Sequence, residues 1–596
     1  MEIQTLNPTT PRQRRRIEAF LQPNGLRYDD IDYYAFVIDE ATDEIVAGGG
    51  LKGGVIKCVA VADGHKGEAV ANMIVSHLIA KANAEGFQCV KLFTKPRNRQ
   101  LFESLSFRML AEAPEAILME TGIGGINNTI KELQKKKEES KENKESTGCI
   151  VMNCNPFTLG HRYLIERASQ MVGHLFVIVV REDRSVFSYQ ERKAMVMAGT
   201  ADLKNVTVCD GSEYAISNTT FPTYFLKRLS DATDTQILLD LDLFRRHIAP
   251  ALGAQLRFVG TEPTDELTRR YNELMVESLG KDRVVQIPRL EDGGTAVSAS
   301  RVRKAMEQGD MNAIRQLVPP TTIPYIIAHL ATRALHAELD TTPKPGLVDK
   351  DNSGAHRDMD YALMSRSIHA LHPYFGRLAL LGFAADMPCH DDIVKTGIEA
   401  ERAMFEATNG VNTYKGALFS MGLAVVAAAG KAWQGCNITP QTLSAAITKL
   451  AFDFPDTKGT HGSKAKQTAA SETAEFKGAL DNAREGYPAL FSHWLPFYDN
   501  LRKNGDPHAL HLTLLRIMCD LDDTNIVYRT SLSMMKQVKE ESRDVLRQWT
   551  EAQVGGSTNL DAMLSNMNNS FVQRNISPGG SADMLSLVVF ISGVLD

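Results

Sequence analysis

The sequence predicts a multidomain chain in three styles: an α+β domain first, an α/β domain with a parallel sheet next, and an all-α domain last. Three observations carry that prediction. The 596 residues exceed what one core holds, at about 150 residues per domain. Short β-branched runs alternate with helical patterns through the first half. Beyond Pro319-Pro320 strand patterns give way to long Ala/Leu/Met-rich helical runs.

The composition narrows function by exclusion. A formal net charge of -6 gives no electrostatic case for a nucleic-acid surface. Eight scattered cysteines without a Cys-x-x-Cys pair indicate neither a zinc site nor a disulfide framework, and suit a reducing compartment. Arg12, Arg14, Arg15 and Arg16 precede no apolar segment, and no uninterrupted apolar run reaches membrane-spanning length. The reading is a cytoplasmic protein with no membrane and no nucleic-acid partner.

Residues 1–120 form the first domain. Tyr33 to Ile38 and Glu44 to Gly49 read as a hairpin, and Ile56 to Val61 as a third strand. An amphipathic helix follows over Ala69 to Glu85, with Met73, Ile74, Leu78 and Ile79 inward, then a strand, Cys89 to Phe93, and a short helix, Arg99 to Leu105. This layout, with a turn from Asp63 to Gly67 feeding the long helix, resembles the GNAT acyltransferase fold, which holds coenzyme A pyrophosphate at such a turn. Gly64 stands where that family has Gln or Arg, with Gly67 and Ala69 in register. That departure argues against acetyltransferase chemistry and leaves a binding or positioning module as the reading, with a purely structural module as the alternative. Residues 121–147 are charged throughout and read as a solvated linker, at most a transient helix held by pairs such as Glu138 with Lys141.

Residues 148–318 are βα in character. Cys149 to Ser169 reads as a short buried strand, a turn and a helix start: Ile150 to Met152 is apolar, Pro156 forbids helix continuation, and Leu164, Ile165 and Ala168 recur at helical spacing. Thr158, Gly160 and His161 then lie beside the free amides of a helix N-terminus, where phosphate is readily held. Further strands are expected at Leu175 to Val180, Val206 to Cys209, Gln236 to Leu239, Gln255 to Val259 and Val284 to Ile287. Parallel strands joined by helices place ligands at their carboxyl ends.

A second helix start, Val297-Ser-Ala-Ser-Arg-Val-Arg303, supplies the Ser298 and Ser300 hydroxyls and the planar fork of Arg303, with Arg301 a weaker candidate. Together with the first turn it resembles the two loops of the Rossmann-like nucleotidylyltransferase superfamily. The blocks Thr220-Phe-Pro-Thr-Tyr-Phe-Leu-Lys227, Phe258-Val-Gly-Thr-Glu-Pro263 and Tyr271-Asn272 resemble citrate lyase ligase in particular. That resemblance implies acetate plus ATP giving acetyl adenylate and pyrophosphate. Acetyl then passes to the prosthetic-group thiol of the citrate lyase acyl carrier subunit. It implies Mg²⁺, His161 and Arg303 in catalysis, and an ATP cradle of Asn155, Thr158, Gly160, His161, Ser298, Ser300 and Arg303. Asn153 could serve beside Asn155. Asp183, Arg184, Arg192 and Lys193 follow the second strand and could reach substrate, although a solvated helix start is the plainer role.

Residues 320–596 are read as all-α, with helices such as Met421 to Trp433 and Leu443 to Phe452. Polar blocks punctuate them: Glu338 with Thr342 to Asp349, Gly354 to Asp360, Gly410 to Gly416, Asp522 to Arg529, and Asn575 to Asp583. Several carboxylates with lysine, arginine and a Ser-Pro-Gly-Gly-Ser turn suggest metal-assisted phosphate binding in a bundle. The blocks resemble triphosphoribosyl-dephospho-coenzyme A synthase, which joins the ribose of ATP to dephospho-coenzyme A and releases adenine. That implies Lys344, Lys415 and Arg529 on phosphates, and Asp349, Asp358, Asp360 and Asp583 on Mg²⁺ or as base, with Asp358 and Asp360 catalytic. Tyr414 stands where the family pattern has histidine, and Leu480 and Asn482 where it has arginine and glutamate. Arg529-Thr-Ser531 replaces Arg-Gly-Gly. Two other readings remain open at this stage. One is an adenylyltransferase acting on a pantetheine-type acceptor, and the other a carboxyl-terminal domain that only binds nucleotide.

Overall fold

A computed structural model describes residues 2–65, 68–140, 146–181, 185–212, 214, 221–222, 224–226, 232–262, 265–384, 388–455, 476–555 and 559–595. Gly67, Lys141, Asp183, Arg184, Thr220, Thr223, Lys227 and Pro263, named above, lie outside them. The chain divides into two compact units: residues 1–155 with 160–297, and residues 156–159 with 298–596.

The first unit holds two large sheets. The amino-terminal one runs in the order β1-β2-β3-β4-β5-β7-β6, from β1 (Gln4–Leu6), β2 (Tyr33–Ile38), β3 (Ile45–Lys52), β4 (Val55–Val61), β5 (Cys89–Thr94), β6 (Arg108–Ala113) and β7 (Ala116–Gly122). All neighbours are antiparallel except β4 and β5, which are joined through the helix Glu68–Ala84. That helix lies close on the sheet, because a Cβ at Gly49 would stand 2.9 Å from Leu78 Cδ1.

The second sheet is wholly parallel, in the order β10-β9-β8-β11-β12, from β8 (Thr147–Met152), β9 (His174–Val179), β10 (Val206–Asp210), β11 (Leu256–Gly260) and β12 (Val284–Ile287). Strand order reverses between β8 and β11. The crevice at their carboxyl ends is therefore the place where such sheets take ligands.

Two expectations are overturned here. Gln236 to Leu239 is not a strand but part of the helix Ala232–Leu243, continued by a π-helical turn, Phe244–Ile248. This helix packs between β6 and the helix Glu266–Leu279 and buries Ile237, Leu239, Leu241 and Leu243, so its apolar residues surround it as they would a buried strand. The charged segment also differs from a bare linker. Ile126–Glu139 is helical and buries Ile126 and Leu133, which suffices to seat it while its lysines and glutamates face outward. Lys136 pairs with Glu139 at 2.9 Å on that outer side.

The amino-terminal sheet packs against the segments that lie between β10 and β11. Glu120 of β7, only 1% exposed, takes Arg108 Nη2 at 2.5 Å, the Ile126 amide at 3.2 Å, the Cys89 thiol at 3.3 Å and the Tyr214 hydroxyl. Asp242 accepts from the Glu112 amide at 2.9 Å. Phe93, Leu110 and Leu118 pack with Phe221, Tyr224 and Leu239.

The second unit is a helical bundle. Its central helix, Gly579–Val594, is buried by Ile323–Asp340, Lys415–Trp433 and Ala509–Asp520, which explains its largely apolar sequence. Tyr361–Ala384, His390–Ala407, Leu532–Gly555 and Leu560–Gln573 complete most of the outer wall. Lys415–Trp433 is long and apolar enough to cross a membrane by length and composition, yet most of it is buried among the other helices.

Candidate active sites

In the first unit the helix Leu159–Ser169 begins after β8 and the Asn153-to-Thr158 turn, as the apolar run and Pro156 require. Cys154 takes a left-handed conformation in that turn, with φ at 56°. Arg192 holds the turn. Fully buried, it donates through Nη1 to Asn153 O at 2.7 Å, Asn153 Oδ1 at 2.6 Å and Val180 O at 2.8 Å, and through Nε to Phe187 O at 3.2 Å. The plainer expectation of a solvated helix start is thus wrong for Arg192. Asn155 Oδ1 accepts from the Phe187 amide at 3.1 Å, so both asparagines brace the turn. Lys193 is committed to Asp210 at 2.6 Å.

His161 sits in the first turn of that helix. Burial, reinforced by the nearby Arg289 guanidinium, lowers its imidazole from 6.5 to about 4. It is therefore neutral at physiological pH. Arg289 in turn grips Glu262, which also accepts from the Asp265 amide at 3.0 Å. Past β11 and β12 a cavity of about 300 Å³ is lined by Thr261, Glu262, Arg269, Asn272, Glu273 and Gln286. Asn272 donates to Gly260 O at 3.0 Å, and its buried Oδ1 has no partner among the described residues. Asn272 and Glu262 were visible in the sequence only as parts of longer blocks, with no role attached.

The second unit carries Thr158, Ser298, Ser300 and Arg303, whereas Asn155, Gly160 and His161 belong to the first. Ser298 caps Ala299–Gln308 by accepting from the Arg301 amide at 3.4 Å, and lies 2.9 Å from the Ser300 hydroxyl. Thr158 is fully buried, and the adjacent Phe157 carbonyl accepts from Thr322 at 3.1 Å.

The helical bundle has its own polar centre. Lys344, 1% exposed, is paired with the equally buried Glu338, whose carboxyl burial pushes up while Lys344 pulls it back. Asp349 takes the Lys344 amide at 2.9 Å on one oxygen and the Asp351 and Asn352 amides on the other. Lys344 is spent on Glu338 in this structure, and Asp349 on loop amides. Both spend their polar atoms internally.

Asp360 caps Tyr361–Ala384 by accepting from Leu363, and Asp358 is exposed, 3.9 Å from His356. His356 Nε2 meets Ser577 Oγ at 2.7 Å. Lys415 is exposed and paired with Glu401 at 2.5 Å. Arg529 bonds Ala355 O and Asn575 Oδ1, bracing two of the polar blocks against each other.

Asp583, partly accessible, rests on the start of Lys415–Trp433: a Cβ at Gly416 would fall 2.1 Å from its Oδ2. Burial, with Glu338 and Asp523 nearby, holds its carboxyl well above the usual range. Asp523 accepts from the Ser581 amide at 2.8 Å and its hydroxyl at 2.9 Å. The four aspartates expected around a metal are not gathered. Among the described residues no three His, Cys, Asp or Glu groups stand close enough to hold an ion.

Comparison with known proteins divides the chain where its architecture changes. The family described as citrate lyase ligase C-terminal domain matches residues 147–326, and ATP:dephospho-CoA triphosphoribosyl transferase matches residues 324–596. A citrate (pro-3S)-lyase ligase of Haemophilus influenzae is 39% identical over 52% of this chain and 94% of its own length. One from Klebsiella pneumoniae is 38% identical over 53% and 93%. The chain belongs to the citrate lyase ligase family. Its carboxyl-terminal half belongs equally to the triphosphoribosyl-dephospho-coenzyme A synthases: a probable synthase of Azotobacter vinelandii is 33% identical over 47% of this chain and 95% of its own length. Within the ligase half the Arg192 clamp, His161 and the Asn272 cavity lie at or near the carboxyl ends of the parallel strands. In the synthase half Glu338, Tyr414, Asp523 and Asp583 form a centre that the isolated blocks did not predict as one group.

Proposed function

We propose that this chain matures citrate lyase through two separate reactions. In the first, acetate attacks the α-phosphate of ATP, pyrophosphate leaves, and acetyl passes from the adenylate to the prosthetic-group thiol of the lyase's acyl carrier subunit, releasing AMP. In the second, the ribose of ATP is joined to dephospho-coenzyme A, giving 2′-(5″-triphosphoribosyl)-3′-dephospho-coenzyme A and adenine. One observation carries the reading: two different sets of relatives are each spanned almost whole, at 94% and 95% of their length, by different halves of one chain.

The residues present suit that chemistry. Adenylyl transfer is largely positioning and charge stabilisation. A neutral His161 offers a ring N–H to a phosphate oxygen without competing as an acid, and Gly160 lets the triphosphate approach the helix start. Thr158, Ser298, Ser300 and Arg303 would supply further donors. Asn155 acts by fixing the turn, and the orphan Asn272 oxygen offers an acceptor to the nucleotide. Mg²⁺ bound through the triphosphate would supply charge neutralisation, and needs only one or two protein carboxylates. For the helical half's own reaction Asp358, Asp360 and Asp583, each exposed or partly accessible, would be the candidates, although no group of three such ligands is gathered among the described residues.

The modules follow as 1–120, GNAT-like, supported by the parallel β4–β5 pair flanked by Glu68–Ala84; 148–318, a Rossmann-like nucleotidylyltransferase, supported by the β8–β11 reversal; and 320–596, the all-α synthase. Residues 121–147 connect the first two. The first module would grip the coenzyme-A-like arm of the carrier.

Incubating the full chain with acetate and labelled ATP should yield pyrophosphate and adenylate. Pyrophosphate release that ignores acetate but needs phosphopantetheine would establish the pantetheine-acceptor reading instead. Adenine release from ATP and dephospho-coenzyme A no faster than in Asp360→Asn would reduce the helical half to a nucleotide-binding domain.

A further inference from the structure

Tyr414 replaces the histidine of the synthase pattern, and its surroundings give the replacement a purpose. It precedes the helix Lys415–Trp433 and is 3% exposed. Its hydroxyl has no hydrogen-bond partner among the described residues. That buried hydroxyl lies within electrostatic reach of Glu338, Asp583 and Asp340.

The approaches to three helices meet there. Thr413 touches Ser367 of Tyr361–Ala384 at 2.6 Å, and Asp583 of Gly579–Val594 lies against Gly416. Helix N-termini favour phosphate, but the acidic groups within electrostatic reach of the hydroxyl are carboxyls, which disfavour it. A sugar suits both. Its hydroxyls donate to carboxylates and accept from a phenol, and positive charge developing at its anomeric carbon is stabilised by nearby acids.

We propose that the Tyr414 hydroxyl donates a hydrogen bond to a ribose hydroxyl of the donor nucleotide, placing the reacting sugar against Asp583 and Gly416. This rests on the transferase reading of the helical half. It also explains why an unpaired hydroxyl is retained in the interior, where a phenylalanine would avoid the cost of burying it. An imidazole N–H at the same position would make the same donation, so histidine and tyrosine are functionally equivalent there.

The test uses the full chain and compares wild type, Tyr414→Phe and Tyr414→His. Adenine release from ATP with dephospho-coenzyme A should fall roughly 10- to 100-fold in kcat/KM for Tyr414→Phe and be largely restored by Tyr414→His. Acetate-dependent pyrophosphate release should be unchanged, and the apoprotein should melt no lower than wild type.

The decisive comparison uses 2′-deoxy-ATP and 3′-deoxy-ATP. With whichever lacks the contacted hydroxyl, wild type and Tyr414→Phe should converge, a result that a structural role could not produce. A deficit that persists undiminished with both deoxynucleotides, an unchanged kcat/KM with ATP, or a lowered melting temperature would overturn the assignment. If wild type releases no adenine, the transferase reading fails. The same comparison by equilibrium binding of the three nucleotides then decides the role of Tyr414 by the same criterion.

Discussion

Replacing Arg192 by methionine tests whether the phosphate turn is held from behind. The guanidinium is fully buried and donates to Asn153 O, Asn153 Oδ1, Val180 O and Phe187 O at 2.6–3.2 Å. Methionine fills much of the volume but returns none of the donors. Each stranded buried acceptor costs about 1–3 kcal/mol, and relaxation of the turn recovers part of the sum. A net loss of about 3–5 kcal/mol is expected, as when one partner of a buried charged network is removed.

The functional loss should be selective. Asn153 and Asn155 lead directly into Pro156 to His161, so a displacement of that turn by even about 1 Å would cost on the order of 100-fold in adenylate formation. Denaturant unfolding should show the transition of the first unit moved to lower midpoint, while adenine release by the helical half stays near wild type. Arg192→Lys should fall between, because one ammonium cannot span acceptors fed by Nη1 and Nε together. Unchanged unfolding with unchanged acetate-dependent pyrophosphate release would refute the clamp.

Substitutions elsewhere separate the remaining features. His161→Ala should abolish acetate-dependent pyrophosphate release and spare adenine release. Because the folded imidazole titrates near 4 and the unfolded one near 6.5, the unfolded chain binds the extra proton as pH falls. Stability is thus lost below about pH 6.5, by about 1–2 kcal/mol at pH 5, and chemical denaturation should show His161→Gln free of that loss. Lys344→Met should cost about 3–5 kcal/mol by leaving Glu338 buried and unpaired, whereas the double variant with Glu338→Leu should be less destabilised than either single one. Glu120→Gln should destabilise the first unit by about 2–4 kcal/mol, since Arg108, Ile126, Cys89 and Tyr214 all converge on that carboxylate; an unchanged melting transition would show the hub to be dispensable.

What the sequence disclosed about this molecule depends on how far each residue's partners lie along the chain. The strand Thr147–Met152, the helix start after Pro156 and the Ser298 cap were legible because an apolar run, a proline and a hydroxyl three residues before an amide are all local facts. The helix Ala232–Leu243 was misread because tertiary packing covers it on opposite sides, and a buried strand leaves the same imprint. Ile126–Glu139 was misread for the opposite reason: two buried side chains seat it, too few to make a periodic pattern among charges.

Side-chain roles follow the same division. Lys344 and Asp349 looked like ligands for phosphate and metal because both are charged and close to proline and glycine. Their real partners, Glu338 and the loop amides, could be assigned only once burial was known. Arg192 looked like a helix-surface residue because its acceptors stand 39, 12 and 5 residues away. Tyr414 differs from all of these. Its departure from the family pattern was plain in the sequence, but the pattern supplied no reason for it. The reason lies in a hydroxyl with no partner among the described residues, within electrostatic reach of three carboxyls about 75 and 170 residues away. A local rule broken in the interior, with no internal compensation, points to a partner outside the chain.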